Sequence, residues 1–343
     1  MTDPTLATRL DNFRDTFRRL TTEVQRAIVG YDDLIADCLT AIFSQGHVLL
    51  EGVPGLGKTY LVKVLARVLG LAPGRVQCTP DLMPSDILGT HIVGEDATGR
   101  RVFRFERGPV FANVLLVDEI NRATPKTQSA LLEVMQERAV TIGGERHVVP
   151  LPFFVLATQN PMEMEGTYPL PEAQLDRFFF KVRVPFPKLE SLVEISKRTS
   201  GFTEPVLAEI LSGPALIEMQ ELLTHVPVAD PITSYAAQLV LATHPETEPR
   251  AGADSRAIAG RATRFVSYGA SPRGLQALVR AARVFCVLDN RTAVSVEDIR
   301  RAAPPALRHR VILNFEGEAE AVDVDRLVAD IIKELPAPGA KAA

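Results

Sequence analysis

Little in this 343-residue sequence marks it for an oxidising, membrane or polyanionic setting. Cysteine is scarce: Cys38, Cys78 and Cys286 stand far apart, without Cys-x-x-Cys spacing. That excludes a disulfide framework, argues against a thiolate metal site, and leaves three buried small residues of a reducing compartment. Apolar runs stay well short of the roughly 18 residues of a membrane-spanning helix. The start, Met1 to Leu20, is too polar and charged for a signal peptide. Neither sign of charge dominates, and a net charge of −4 gives no general pull toward nucleic acid or anionic membrane. Internal repeats are absent. The expectation is a cytoplasmic protein without membrane insertion. With 46% hydrophobic and 23% charged residues, the chain can build a large core, most naturally in two domains.

Leu10, Phe13, Phe17, Leu20 and Val24 recur at helical spacing and predict an amphipathic first helix ending near Gly30. Beyond it, short apolar runs alternate with helical patterns. The runs are His47–Leu50, Arg75–Cys78, Val114–Val117, Phe153–Thr158 and Phe179–Val184. None alternates cleanly, as expected of strands covered on both faces. The helix predicted over Tyr60–Leu69 is stopped by Gly70. This order of elements predicts an α/β fold with a parallel sheet. Two segments break the rhythm. Ile92–Val93 with Val102–Phe105, around Glu95–Arg100, predicts one β-hairpin; Val140–Ile142 with His147–Val149, around Gly143-Gly144, predicts another. After Pro185-Phe186-Pro187 strand signals vanish. Ser212-Gly213-Pro214, Asp230-Pro231 and Ser271-Pro272 read as helix starts. Ser295 to Asp298 resembles a capping box, and Pro336–Ala343 reads as a frayed tail. The predicted division is a sheet domain over 1–188 and an all-α domain over 189–343.

Gly52-Val53-Pro54-Gly55-Leu56-Gly57-Lys58-Thr59 fits G-x-x-x-x-G-K-[ST]. Its glycines let backbone N–H groups wrap phosphate oxygens; Lys58 would reach β- and γ-phosphates, and Thr59 would ligate Mg²⁺. The preceding strand and following helix are the context this motif requires, since the helix N-terminus favours an anion. The run Val114–Val117 then delivers Asp118 and Glu119 at the end of a buried strand. Asp118 would hold Mg²⁺ and Glu119 would polarise the attacking water. An acidic loop start is the bland alternative, made less attractive by the upstream phosphate motif. Asn160 follows the run Phe153–Thr158. It fits either a holder of the lytic water or the turn before Pro161.

These stretches together resemble the AAA+ superfamily and, within it, the MoxR family. The carrying residues are Gly52–Thr59, Asp118-Glu119-Ile120-Asn121-Arg122-Ala123, Ala157-Thr158-Gln159-Asn160-Pro161, Leu175-Asp176-Arg177-Phe178 and Ser271-Pro272-Arg273. Thr79-Pro80-Asp81-Leu82-Met83-Pro84-Ser85-Asp86 and Leu307-Arg308-His309-Arg310 add to them, so the likeness runs from Val29 to Arg310. The resemblance implies an AAA+ parallel-sheet domain whose two hairpins are the helix-2 and pre-sensor-1 inserts, with a helical lid. It implies an ATP- and Mg²⁺-dependent hydrolase. Asn160 becomes sensor 1, Arg177 an arginine finger for a neighbouring subunit, and Arg273 a sensor 2 acting on the γ-phosphate in cis or in trans. From the residues alone, Arg177 and Arg273 read more readily as surface ion pairs, and Arg122 is a second finger-like candidate. Ile28-Val29-Gly30 fits the segment that packs on adenine, or simply a helix end. The implied nucleotide-contacting set is Val29, Gly30, Gly52, Val53, Pro54, Gly55, Leu56, Gly57, Lys58, Thr59 and Tyr60.

The resemblance further implies a homo-oligomeric ring, a hexamer, that remodels or activates a protein client. Many relatives work with a von Willebrand A-type protein; this chain lacks the Asp-x-Ser-x-Ser metal motif, so such a domain would be a separate protein. Two other readings stay open. A nucleic-acid-dependent motor ATPase should carry basic hairpins. The Gly143-Gly144 hairpin has only Arg146 and His147 against Glu145, whereas the other has Arg100, Arg101 and Arg104. A metal-chelatase motor subunit need hold no metal ligands of its own.

Overall fold

The five apolar runs form one parallel sheet in the computed structural model, which describes residues 4–95, 101–161, 166–200, 205–245 and 262–338. The strands are β1 (Val48–Glu51), β2 (Pro73–Gln77), β5 (Val114–Asp118), β8 (Phe154–Gln159) and β9 (Phe180–Arg183), in the order β2-β5-β8-β1-β9. Every residue of β5 is buried, and so are Phe154 to Thr158 of β8. Helices on both faces explain why the sequence shows continuous rather than alternating apolar runs. The register pairs Val48 of β1 with both Leu156 and Phe180, and Val114 with Phe154.

Helix α1 (Pro4–Ala27) buries Leu10, Phe13, Phe17, Leu20 and Val24, the stripe predicted from its spacing. The structure adds α2 (Asp32–Phe43), which the periodicity did not reveal. Leu34, Ile35, Cys38, Leu39, Ala41, Ile42 and Phe43 are all buried, so the apolar side of α2 is broad and only a narrow stripe through Asp33 and Asp37 contrasts with it. Phe13 meets Phe43 edge-on at 4.8 Å between ring centres. Cys38, Cys78 and Cys286 are buried free thiols, each held well above the ordinary thiol range by burial.

After α3 (Lys58–Val68) and α4 (Pro84–Leu88), both hairpins are present. The first pairs β3 (Gly89–Glu95) with β4 (Arg101–Arg107); its turn, residues 96–100, lies outside the described residues. At its base Gly89 has φ +97°, and a Cβ there would sit 2.2 Å from the Glu106 carbonyl. The second hairpin joins β6 (Ala139–Ile142) to β7 (Glu145–Val148) after α5 (Pro125–Glu137). Gly143 and Gly144 both have positive φ, as a two-residue primed turn requires.

Helix α6 (Glu172–Leu175) leads into β9, and α7 (Leu189–Ser200) follows it. The C-terminal part is helical: α8 (Gly213–Thr224), α9 (Asp230–Ala242), α10 (Pro272–Leu288), α11 (Val296–Leu307), α12 (Phe315–Ala319) and α13 (Val324–Glu334). One departure is a short antiparallel pair, β10 (Val266–Tyr268) with β11 (Ile312–Leu313). Ser271 caps α10, accepting from the Arg273 N–H, and Ser295 with Asp298 forms the capping box of α11. Asp230 is inside α9 rather than its cap, which is Ala229. Of the predicted tail, residues 339–343 lie outside the described residues. Side chains of α1, α2, the sheet, α8 and α10 share one apolar core. Among the described residues, no helix is long and apolar enough to cross a membrane.

Candidate nucleotide site

The phosphate loop leaves the C-terminal end of β1, where the Gly52 N–H donates to the Gln159 carbonyl at 3.2 Å. Gly55 and Gly57 have φ of +83° and +74°, with open space where each Cβ would be. The loop is therefore a cradle that L-residues would strain. Val53 is half-buried and Pro54 exposed within it. Gly57 caps α3, so Lys58 and Thr59 occupy the first turn, at the positive end of the helix. Lys58 Nζ donates to the Gly52 carbonyl at 2.5 Å. Burial lowers its pKa, and Asp118 and Glu119 pull it back.

Asp118 ends β5 facing this cradle. Thr59 Oγ1 donates to Asp118 Oδ2 at 3.2 Å, and Arg75 donates to the same oxygen from Nε at 3.1 Å and Nη2 at 2.9 Å. Glu119 has φ +55°, a conformation a non-glycine residue adopts only when its surroundings impose it. Thr158 supplies part of that constraint: its Oγ1 accepts from the Glu119 N–H at 2.9 Å and donates to Asp118 Oδ1 at 3.3 Å. The Glu119 carboxylate takes hydrogen bonds from Gln77 at 3.2 Å and Arg122 at 3.1 Å. Arg122 is thus paired within its own chain. Asn160 is buried at the end of β8, beside β1 and the phosphate loop, and the Asn121 amide reaches its carbonyl at 3.5 Å. Sequence reasoning missed Arg75, Gln77 and Thr158 as site members. Arg75 and Gln77 alternate on one face of β2, but only the strand register, which sets Gln77 against Asp118, shows that this face meets the site.

A cleft of about 380 Å³ opens beside the cradle. Ile28, Val29, Tyr31, Gly55, Leu56, Gly57, Lys58 and Tyr60 line one side; Phe186, Pro187, Leu192, Ile195 and Arg198 line the other. Gly30 has φ +76°, and a Cβ there would collide with the Ser191 side chain, so glycine lets α7 close on this segment. The cleft is mostly apolar, with Lys58 and Arg198 as the two cations of its lining, which suits a flat heteroaromatic base next to phosphates. The cradle, the base-sized cleft, and the oxygen pair Thr59 and Asp118 fit a nucleotide triphosphate and a hard divalent cation.

Arg177 and Arg273 lie elsewhere. The Phe179 N–H donates to the His47 carbonyl at 2.8 Å, at the N-terminal end of β1. Arg177 therefore sits at the opposite edge of the sheet from the phosphate loop. Four strand residues at roughly 3.3 Å each separate those edges by about 13 Å. Arg177 and Arg273 line the same small cleft with His47, Met135 and Gln136. Arg273 pairs with Asp176 at 3.6 Å and donates to Gln136 at 3.4 Å. The fold thus brings Lys58, Thr59, Asp118, Glu119 and Asn160 together, groups the two arginines, and separates the sets.

The chain matches the family model described as "ATPase family associated with various cellular activities (AAA)" over residues 47–180, and the AAA lid domain over residues 258–331. It is 43% identical over 323 residues to Chaperone MoxR1 of Mycobacterium tuberculosis, covering 94% of this chain and 82% of that protein. It is 36% identical over 343 residues to Protein MoxR of Methylorubrum extorquens, covering 96% and 97%. A crystal structure of a provisionally assigned ATPase from Cytophaga hutchinsonii superposes with a TM-score of 0.87 at 38% identity, covering 96% and 97%.

Proposed function

Since this chain belongs to the MoxR family of AAA+ ATPases, we propose that it is a ring-forming, Mg²⁺-dependent member that remodels or activates a protein client. The meeting of Thr59 and Asp118 at 3.2 Å beyond the phosphate loop, with Glu119 next in sequence, carries the catalytic part. Lys58 binds the β- and γ-phosphates of ATP, and the cleft between Val29 and α7 takes the base. Thr59 and Asp118 hold Mg²⁺, which when bound neutralises charge on the phosphates. The Glu119 carboxylate accepts a proton from the attacking water, and Asn160 orients that water. The sheet domain extends to about residue 188 and the remainder acts as the lid.

Arg177 and Arg273 cannot reach the phosphates of their own chain from the far edge of the sheet. Both act in trans, on the nucleotide of the next subunit of a ring, which we put at six members. A guanidinium serves there because it stays charged and offers two parallel donors to phosphate oxygens. A relative named as a chaperone makes a protein the natural client, and a separate von Willebrand A-type protein is one candidate. The first hairpin by itself does not choose between a protein and a nucleic acid: it exposes Phe103 at 79% and Val93 at 61%, and also Arg101, Arg104 and Arg107. The three unpaired cysteines suit the cytoplasm.

The test is complementation. Glu119→Gln lacks the base but offers its finger; Arg177→Ala has the base but no finger. Each should bind ATP and turn over about a hundredfold or more slower than the parent. Mixed in one assembly, they should recover activity, because some interfaces pair an intact Glu119 with an intact Arg177. No recovery in demonstrably mixed rings would overturn the trans assignment. Stimulation by nucleic acid but not by protein would favour the motor reading.

A further inference from the structure

The segment that carries Arg177 is short and is held from outside its own domain. Helix α6 contributes only four residues before Arg177, and β9 begins three residues after it. The backbone carbonyls around Arg177 are instead taken by Arg308, His309 and Arg310, the three residues that follow lid helix α11.

Arg310 is buried, with 3% of its side chain exposed. Its Nε donates to Asp176 Oδ1 at 2.8 Å. Its Nη2 donates to the carbonyls of Asp176 at 3.1 Å and Phe178 at 2.6 Å, and its Nη1 to that of Phe179 at 3.2 Å and to Ala306 within the lid. His309 Nε2 donates to the same Phe178 carbonyl at 2.9 Å, and Arg308 Nη1 donates to Lys181 at 2.9 Å. The clasp is anchored behind by Arg308 on Asp325 of α13 at 2.9 Å. Asp176 is shared further: Ser271 Oγ donates to it at 2.8 and 2.9 Å, and Arg273 pairs with it.

Every donor of one guanidinium is thus spent on residues flanking Arg177 or on the helix it hangs from. A buried charge is costly unless fully paired, so this arrangement has one low-energy geometry. Lysine could keep the charge of Arg310, but three donors on one nitrogen cannot span these five acceptors. The Arg177 side chain itself is not gripped in the same way; its Nε is buried without a partner. Its direction is therefore set by the backbone on which it stands.

We propose that Arg310, with His309 and Arg308, is a positioning clasp through which the lid aims the Arg177 guanidinium at the neighbouring subunit's nucleotide. This rests on the trans assignment of Arg177. It makes the lid of one subunit a determinant of hydrolysis in the next, through a residue that touches no nucleotide.

The test uses the full-length assembly and the variant Arg310→Lys. A misaimed finger should leave ATP affinity, read by titration of a fluorescent ATP analogue, within about twofold of the parent. It should lower kcat by about tenfold to a hundredfold, the scale of an ångström-sized misplacement. Complementation supplies the readout that loss of lid packing alone would not give. Arg310→Lys mixed with Glu119→Gln should recover activity, because its own base is intact and the partner's finger is sound. Mixed with Arg177→Ala it should not, because both lack a working finger. Near-parental kcat for Arg310→Lys, no recovery with Glu119→Gln, or recovery with Arg177→Ala would each overturn the clasp. If Arg310→Lys fails to assemble, His309→Phe, which removes one donor and keeps a ring, carries the same comparison with a smaller kcat loss. If Arg177→Ala is itself not rescued by Glu119→Gln, the trans finger falls and the clasp with it. If Arg177→Ala is rescued and Arg310→Lys is not, only the clasp falls.

Discussion

Thr59 and Arg75 donate to the same oxygen, Oδ2 of Asp118, at 3.2 Å and at 2.9 to 3.1 Å. One is the hydroxyl expected on a Mg²⁺ ion and the other is a cation already in contact with that ion's carboxylate. If Asp118 holds Mg²⁺ as proposed, Arg75 would offset the same carboxylate charge, and the two would compete for one oxygen.

Replacing Arg75 with glutamine should then tighten Mg²⁺ binding. About half of the Arg75 side chain is exposed, so solvent screens the pair and the effect is modest. The Mg²⁺ concentration that half-saturates nucleotide-dependent hydrolysis should fall several-fold in Arg75→Gln, with ATP affinity at saturating Mg²⁺ little changed. A higher Mg²⁺ requirement would instead make Arg75 a support that orients Asp118 for the ion.

Lys58 is the second test. Its ammonium rests on the Gly52 carbonyl, half-buried at the first turn of α3, so it is poised over the cradle, and among the described residues no carboxylate is hydrogen-bonded to it. Lys58→Ala should lose most ATP affinity by calorimetry while its thermal unfolding shifts little, because the side chain is not part of the apolar core. Near-parental ATP binding would remove Lys58 from the phosphate site.

The phosphate loop, Asp118-Glu119 and the five strands were legible because their signals are local. Glycines at fixed offsets and apolar runs ending in carboxylates need no tertiary information. Helix α2 was not legible, since only its start, at Asp32 and Asp33, is exposed and the apolar residues that follow spread over most of its circumference. Arg75 was not legible because a charged residue in a strand has no local mark of where it points; β2 pairs with β5 so that Arg75 lies opposite Leu116, two residues short of Asp118, and its side chain reaches along the strand to that carboxylate. The placement of Arg177 beside Arg273 depends on the lid returning to the far edge of the sheet. That contact joins residues 134 apart in sequence at Asp176 and Arg310, and no local pattern encodes it.

His47 gives the pH test. Its Nδ1 accepts from the Val155 N–H at 3.0 Å, so Nε2 must carry the proton it donates to the Met135 carbonyl at 3.0 Å. Both nitrogens are satisfied only in the neutral ring. A second proton would set Nδ1–H against the Val155 N–H and bury a charge. Burial is the main reason that its pKa is pushed down to about 4 from the ordinary 6.5, with Arg138 and Arg280 adding to it. The unfolded chain takes up this proton near pH 6.5 and the folded chain does not until about pH 4. The contribution of neutral His47 is therefore whole above pH 6.5 and is lost as pH falls through that window. A shift of this size corresponds to about 3 kcal/mol as an order of magnitude. His309, also held neutral by burial, acts with the same sign but is present in parent and variant alike. His47→Asn keeps an acceptor for Val155 and cannot titrate. It should be less stable than the parent at pH 7.5, by urea midpoint, and the gap should narrow steadily toward pH 4.5. A gap that stays constant or widens over that range would mean that His47 is not held neutral in the folded chain.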